Sequence, residues 1–360
     1  MASSYGARMD THSRSATALD LINRPGQLTL GIELPLDNDW SPEGEARRVA
    51  DGRPHGVPDL SRYPELVRQI DASGFAAVWM RDVPLFDPRN FGDAGSIYDP
   101  FVNLGFLAGI TKHVALGTAG IVLPLRHPMM VAKAAASVDR LSCGRLILGL
   151  ASGDRPVEYP LLGLDFEGRG ETFRQSLAYM RDVWKDGGLP LGDGRKAAEL
   201  DLLPKPSHQT IPTIIAGNGQ QSHEWIASNM DGRFVYPGGV DRTAEQAADF
   251  RRLRHAADLD RGVFISAFHL DLADDPDELP TPRRFGARIG RKPFLDHLNE
   301  LHGAGVDHLA VLLRPSRRPL PEVIDELARE VLPDLAHGAL PAPSLENTAP
   351  ERDAAGVKGT

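Results

Sequence analysis

The sequence predicts an α/β fold, specifically a (β/α)8 TIM barrel with loop insertions after strands one, two and seven. Three observations predict it. Short runs of β character alternate with helical patterns along most of the chain. Eight such runs are present, the number a barrel of this kind closes with. The first run is not followed by a G-x-G-x-x-G turn, which would have favoured an open doubly wound sheet.

The elements follow in order. The first strand is read at 28–34, followed by a Gly/Pro/Asp-rich loop at 35–58. A helix at 63–73 ends at Gly74, a good C-terminal position for glycine. The second strand, 75–80, ends on Arg81-Asp82 and leads into a loop at 83–96. Asp99 caps a helix at 99–110, with Pro100 in its first turn. The third strand, 114–123, has small residues in its middle and stops at Pro124. A helix at 129–141 and a fourth strand at 145–151 follow. The helix at 171–185 is amphipathic, and 185–210 reads as irregular. Strand five (212–216), its helix (221–230), strand six (233–236) and the helix 243–259 come next. Strand seven (263–270) opens an insertion that runs to Arg291. The helix 294–304, strand eight (308–313) and a last helix (321–331) complete the pattern.

Composition bounds the function. The 360 residues accommodate one barrel domain, read here as 26–335. Residues 1–25 read as a flexible N-terminal segment, and 336–360 as a disordered tail with little to bury. The net charge of −9 is spread along the chain, which argues against nucleic acid as a partner. No stretch approaches a membrane span, and the N-terminus carries no secretory signal. The single cysteine, Cys143, precludes an intrachain disulfide, so a cytoplasmic setting is expected. No spacing of His, Cys or carboxylates suggests a metal.

Chemistry is expected at the strand ends. Glu33 ends strand one. Trp79 stands beside Arg81 and Asp82, a group able to hold a planar ring with polar edges, or simply a structural ion pair. Thr118, Ala119 and Gly120 let a flat ligand lie against the backbone, or let a helix pack closely. Ser152, Gly153 and Arg155 offer a hydroxyl, N–H groups and a cation. Gly217, Asn218, Gly219, Gln220 and Gln221 form a Gly-rich turn that could wrap a phosphate, although ordinary N-capping produces similar turns.

The run from Gly117 through Pro124 to His127-Pro128 resembles the third-strand motif of the bacterial luciferase-like flavin monooxygenases. Asp139, Ser142, Gly144 and Arg145 resemble that family's D-x-x-S-x-G-R turn. Further blocks at 149–153, at Gly163 with Arg169, and at 212–225 with Asp231-Gly232 are similar and in the family's order. The resemblance spans roughly 28–332. It implies a TIM barrel that binds reduced FMN, or in one branch a deazaflavin coenzyme, at the strand ends. It further implies a non-prolyl cis peptide at Ala119–Gly120 beneath the flavin, and a phosphate loop at 217–221. Ser152 stands where the luciferases place a phosphate-binding arginine, which Arg155 would replace. A separate NAD(P)H:flavin reductase and a homodimer are also implied.

Two departures bear on the chemistry. The family's catalytic histidine after strand two is replaced by Arg81-Asp82-Val83-Pro84, and its reactive cysteine by Ala151. Light emission is therefore not expected, and the catalytic residue is unassigned, with Arg81 and Asp82 as candidates. The expected activity is oxidation of a small organic substrate by reduced FMN and O2. The alternatives are deazaflavin-dependent hydride transfer and flavin binding without turnover.

Overall fold

Eight parallel strands close into a ring in the computed structural model, which describes residues 17–87, 97–191 and 195–337. They are β1 (Thr29–Glu33), β2 (Ala77–Met80), β3 (Ala115–Thr118), β4 (Leu146–Ala151), β5 (Thr213–Ala216), β6 (Gly232–Val235), β7 (Val263–Leu272) and β8 (His308–Leu312). Each pairs with the next, and β8 returns to β1. The principal outer helices are α1 (Tyr63–Ala72), α2 (Pro100–Ile110), α3 (Pro128–Leu141), α4 (Arg169–Val183), α5 (His223–Asn229), α6 (Val240–Ala256), α7 (Arg291–Gly303) and α8 (Leu320–Glu326). The fold is the expected barrel. Expectations for 1–16, for 88–96 of the loop after β2, and for 338–360 lie outside the described residues.

Alternation along the strands divides the apolar residues into two clusters. Ala77, Trp79, Ala115, Ile147, Ile214, Phe234, Ile265, Ala267 and Ala310 fill the inside. The opposite faces pack against the helices. Ala18 and Ile22, around a short helix at Leu19–Ile22, join the inner cluster. The last part of the segment expected to be loose is therefore packed, because it covers apolar barrel residues.

Trp79 makes the inner layer unusually polar for a core. Its Nε1–H donates to His308 Nε2 at 2.9 Å. Indole nitrogen can only donate, so Nε2 must accept, and Nδ1 carries the proton. Nδ1 lies 2.7 Å from Thr29 Oγ1, whose hydroxyl donates onward to the Ile22 carbonyl at 2.8 Å. Burial pushes the imidazole pKa down to about 3, so the ring is neutral at neutral pH. Gly31 is required beside it, since a Cβ there would sit 2.6 Å from His308 Nε2.

Several local readings are revised. The loop expected at 35–58 contains a helix, Pro42–Ala50, with Ser41 accepting from Gly44 N–H. The third strand ends at Thr118, and a separate two-residue strand, Ile121–Val122, follows the Ala119–Gly120 bond. The insertion after β7 is a hairpin of Thr281–Arg283 and Gly286–Ile289, whose second strand runs parallel to the end of β7. A small antiparallel pair, Leu189–Pro190 with Lys196–Ala197, lies in the stretch read as irregular.

Candidate active site

A cavity of about 440 Å³ opens at the carboxyl ends of β2 to β6. Arg81, Asp82, Ala119, Gly120, Ser152, Gly153, Arg155, Gly217, Asn218, Gly219 and Gln220 all line it, so eleven of the sequence candidates come together. Val83, Val122, Ala151, Asp154, Arg169, Ala216, Phe234 and Tyr236 complete its wall.

Trp79, Thr118, Gln221 and Glu33 do not line it. Trp79 was expected to hold a planar ring, but its side chain turns into the barrel, fully buried against Phe234 and His308. Thr118 is also buried, and its hydroxyl donates to the Gly149 carbonyl, tying β3 to β4. Gln221 supports the turn from behind. Its amide donates to the Gly170 and Gly219 carbonyls, and its Oε1 accepts from Arg174.

The Ala119–Gly120 bond is cis, as the resemblance implied. The small residues also have a packing cause. A Cβ at Gly120 would lie 2.9 Å from backbone atoms of Gly149 and Leu150, so β4 itself demands glycine there. Gly117 likewise makes room for the Trp79 indole. Close strand packing requires glycine at both positions. Ala119 and Gly120 both line the cavity.

Asp82 and Arg81 do not pair with each other. Asp82 accepts from Arg126 Nε at 2.9 Å and Nη2 at 2.8 Å, and from the Val122 N–H at 3.1 Å. It therefore clamps the chain just beyond the cis bond, and every hydrogen bond found for it serves that clamp. Arg81 Nη2 donates to Glu33 Oε2 at 2.8 Å, and its guanidinium lies over the Tyr236 ring. Glu33 is thus buried beneath Arg81 and anchors it.

The opposite end is cationic and rich in N–H groups. Gly217, Gly219 and Gln220 all have left-handed backbone, with φ of 69°, 55° and 60°. Such turns present successive N–H groups toward one concavity. The helix α5 begins only at His223 and is capped by Ser222, so the turn itself, and not the helix end, forms the cradle. Nothing lies within 4 Å of a Cβ built at Gly217, whereas one at Gly219 would strike Ile215. Arg233 holds the turn from below, its Nη2 donating to Asn218 Oδ1 at 2.5 Å.

Arg155 lines the cavity but is committed at Nη1 to Glu158 Oε1, 2.6 Å away. Burial raises the Glu158 carboxyl pKa, and the Arg155 charge partly offsets this. Arg169, named in the sequence only within a family block, also lines the cavity. It lies flat on the Phe166 ring at 3.6 Å, with Nε toward the Gly153 carbonyl and Nη1 on the Phe166 carbonyl. A signal was available: Arg169 opens α4, where the helix dipole disfavours a cation, so another reason for it is needed.

Residues 41–333 match the luciferase-like monooxygenase family. The chain belongs to that family. It is 33% identical over 168 residues to the oxygenase component of a flavin-dependent trigonelline monooxygenase from Acinetobacter baylyi, covering 46% of this chain and 45% of that one. It is 24% identical over 263 residues to the pyrimidine monooxygenase RutA of a Bradyrhizobium strain, covering 70% and 69%. The chain spans about half the length of the curated relatives it matches first. Its fold is similar to that of the coenzyme F420-dependent tetrahydromethanopterin reductase from Methanopyrus kandleri, with a TM-score of 0.65 at 16% identity, covering 86% of this chain and 99% of that one.

Among the described residues, no helix is long and apolar enough to cross a membrane. Among the same residues, no group of three or more His, Cys, Asp or Glu side chains is placed to hold a metal ion.

Proposed function

We propose that this luciferase-like protein is a cytoplasmic flavin-dependent monooxygenase, using reduced FMN and O2 to oxidise a small organic substrate. One observation carries the reading. A single cavity joins a flat, small-residue wall (Ala119, Gly120, Ala151, Ala216) to a cationic turn (Arg155, Arg169, 217–220). That shape and charge fit a flat ring with an anionic tail. The open Cβ direction at Gly217 leaves room for such a tail.

The roles follow from the contacts. Arg169 and the N–H groups of 218–220 bind the phosphate, while the Gly217 N–H ties the turn to the Phe234 carbonyl. The wall at Ala119 and Gly120 supports the ring, with Asp82 and Arg126 fixing its position. Arg81, held by Glu33, places a cation at the mouth. Bound reduced FMN supplies the electrons and oxygen reactivity that these side chains lack. Membership of the family and the similarity to the trigonelline and pyrimidine monooxygenases support the reading.

We further propose that a separate NAD(P)H:flavin reductase supplies the flavin, and that two copies of the chain associate. The outward face of α2 supports the second point. Val102 is 74% exposed there and Phe106 44%, beside Gly105 and Gly109, which leave open space for a close helix.

Anaerobic titration with photoreduced FMN, then admission of isotopically labelled O2 with trigonelline or uracil, tests the activity by mass spectrometry of the product. Saturable FMN binding and label in a product are expected. Failure to bind FMN alongside tight binding of a deazaflavin coenzyme would replace the reading with hydride transfer. Flavin binding that speeds no reaction across a broad substrate panel would leave a carrier.

A further inference from the structure

The hairpin after β7 carries an aromatic residue where a turn least favours one. Arg284 and Phe285 form its tip, between the paired Arg283 and Gly286. Phe285 has φ of 65°, a conformation that glycine or asparagine adopts readily and a bulky residue rarely. Such an outlier needs a cause in its surroundings. The tip is not free to relax. The strand Gly286–Ile289 is laddered to β7, and a Cβ at Gly286 would sit 1.9 Å from the His269 carbonyl oxygen. Arg283 and Arg288 both bind the buried Asp271. The hairpin is therefore a fixed wall.

The wall delivers Phe285 to the cavity's rim. Its ring lies 5.2 Å from that of Tyr236, which lines the cavity, and 5.6 Å from His269. The Arg81 guanidinium covers Tyr236 at 5.6 Å, and the Arg284 guanidinium covers Phe285 at 4.8 Å. The four side chains form an arc of cation, ring, ring and cation. Arg81 is neutralised by Glu33. Arg284 is exposed and has no ion pair among the described residues.

We infer that this arc, Arg81–Tyr236–Phe285–Arg284, is the substrate side of the mouth and selects a planar ring bearing a carboxylate. The inference rests on the flavin reading, because it assigns the inner cavity to the flavin and the rim to the substrate. The two rings offer flat apolar area. Arg284 offers the uncompensated charge, in the fork geometry suited to a carboxylate.

The test uses the full-length protein loaded with FMN and follows the perturbation of the flavin spectrum. The probes are nicotinate (planar, anionic), nicotinamide (planar, neutral) and cyclohexanecarboxylate (anionic, not planar). Nicotinate is expected to bind tightest. Arg284→Gln should weaken nicotinate about tenfold and leave nicotinamide unchanged, the loss of one charge-assisted contact. Phe285→Asn suits the left-handed turn, so the hairpin and the melting temperature should be kept. It should nevertheless reduce nicotinate to the level of cyclohexanecarboxylate. FMN affinity should be unchanged in both variants. FMN binding with the three probes equal, or variants that leave the preference intact, would overturn the arc alone. Failure of the wild-type protein to bind FMN would overturn the flavin reading, and the arc with it.

Discussion

Replacing Arg169 with methionine should separate FMN from riboflavin. The two ligands differ by one phosphate, and Arg169 is the cavity-lining cation whose backbone contacts engage only Nε and Nη1. A hydrogen bond to a charged group contributes about 1.5–3 kcal/mol, and this half-buried side chain belongs near the lower end. FMN should therefore bind about 10- to 30-fold more weakly. Arg169 also holds the Gly153 carbonyl, so some loss is expected for any ligand. That part affects riboflavin equally, and the ratio of the two dissociation constants removes it. Titration followed by flavin fluorescence, repeated at low and high salt, gives the ratio. It should fall toward unity in the variant, and the wild-type ratio should shrink as salt screens the charge. Equal losses for FMN and riboflavin would refute the assignment of this end to the phosphate.

Three further outcomes can be checked. His308 is neutral and buried, with a folded pKa of about 3 against an ordinary 6.5. As pH falls below 6.5 the unfolded chain takes up a proton that the folded one refuses, so stability drops by roughly 1.4 kcal/mol per pH unit until the folded pKa is reached. Urea midpoints from pH 7 to pH 4 should show this slope, and His308→Gln, though less stable throughout, should flatten it; parallel curves would contradict the neutral histidine. Gly120→Ala should destabilise by about 1–3 kcal/mol, because its Cβ meets β4 backbone that cannot yield; an unchanged midpoint would show that the strands can part there. Asp82→Asn should leave Arg126 without its bidentate partner and lower FMN affinity by loosening Val122, with a loss of about 1–3 kcal/mol in stability; full activity and stability would remove Asp82 from the positioning role.

The barrel was legible because every strand pairs an inward and an outward apolar face, which the alternation of runs exposes. The site was legible at its glycines and charges, because they stand where core filler is expected. Trp79 was misplaced for a physical reason. Its partner His308 lies in a distant strand, and only the register of the ring brings them together. Gly120 reads as a place of close approach, by a ligand or a helix, and only the fold shows that strand β4 also approaches there. The helix Pro42–Ala50 has only a short stripe of small apolar residues and buries just Gly44, so little in its pattern marks it as a packed helix. The hairpin after β7 has short, Arg- and Pro-bearing strands without alternation, and its pairing partner is fixed only by the barrel. Arg169 lies just ahead of the helix read at 171–185, and only the fold turns it toward the cavity.

The most direct test of the central claim is a crystal structure of the protein with FMN. The phosphate is expected within hydrogen-bonding distance of the 218–220 N–H groups and Arg169, and the ring against Ala119 and Gly120. FMN bound elsewhere, or reversed so that its ring meets the 217–220 turn, would contradict it.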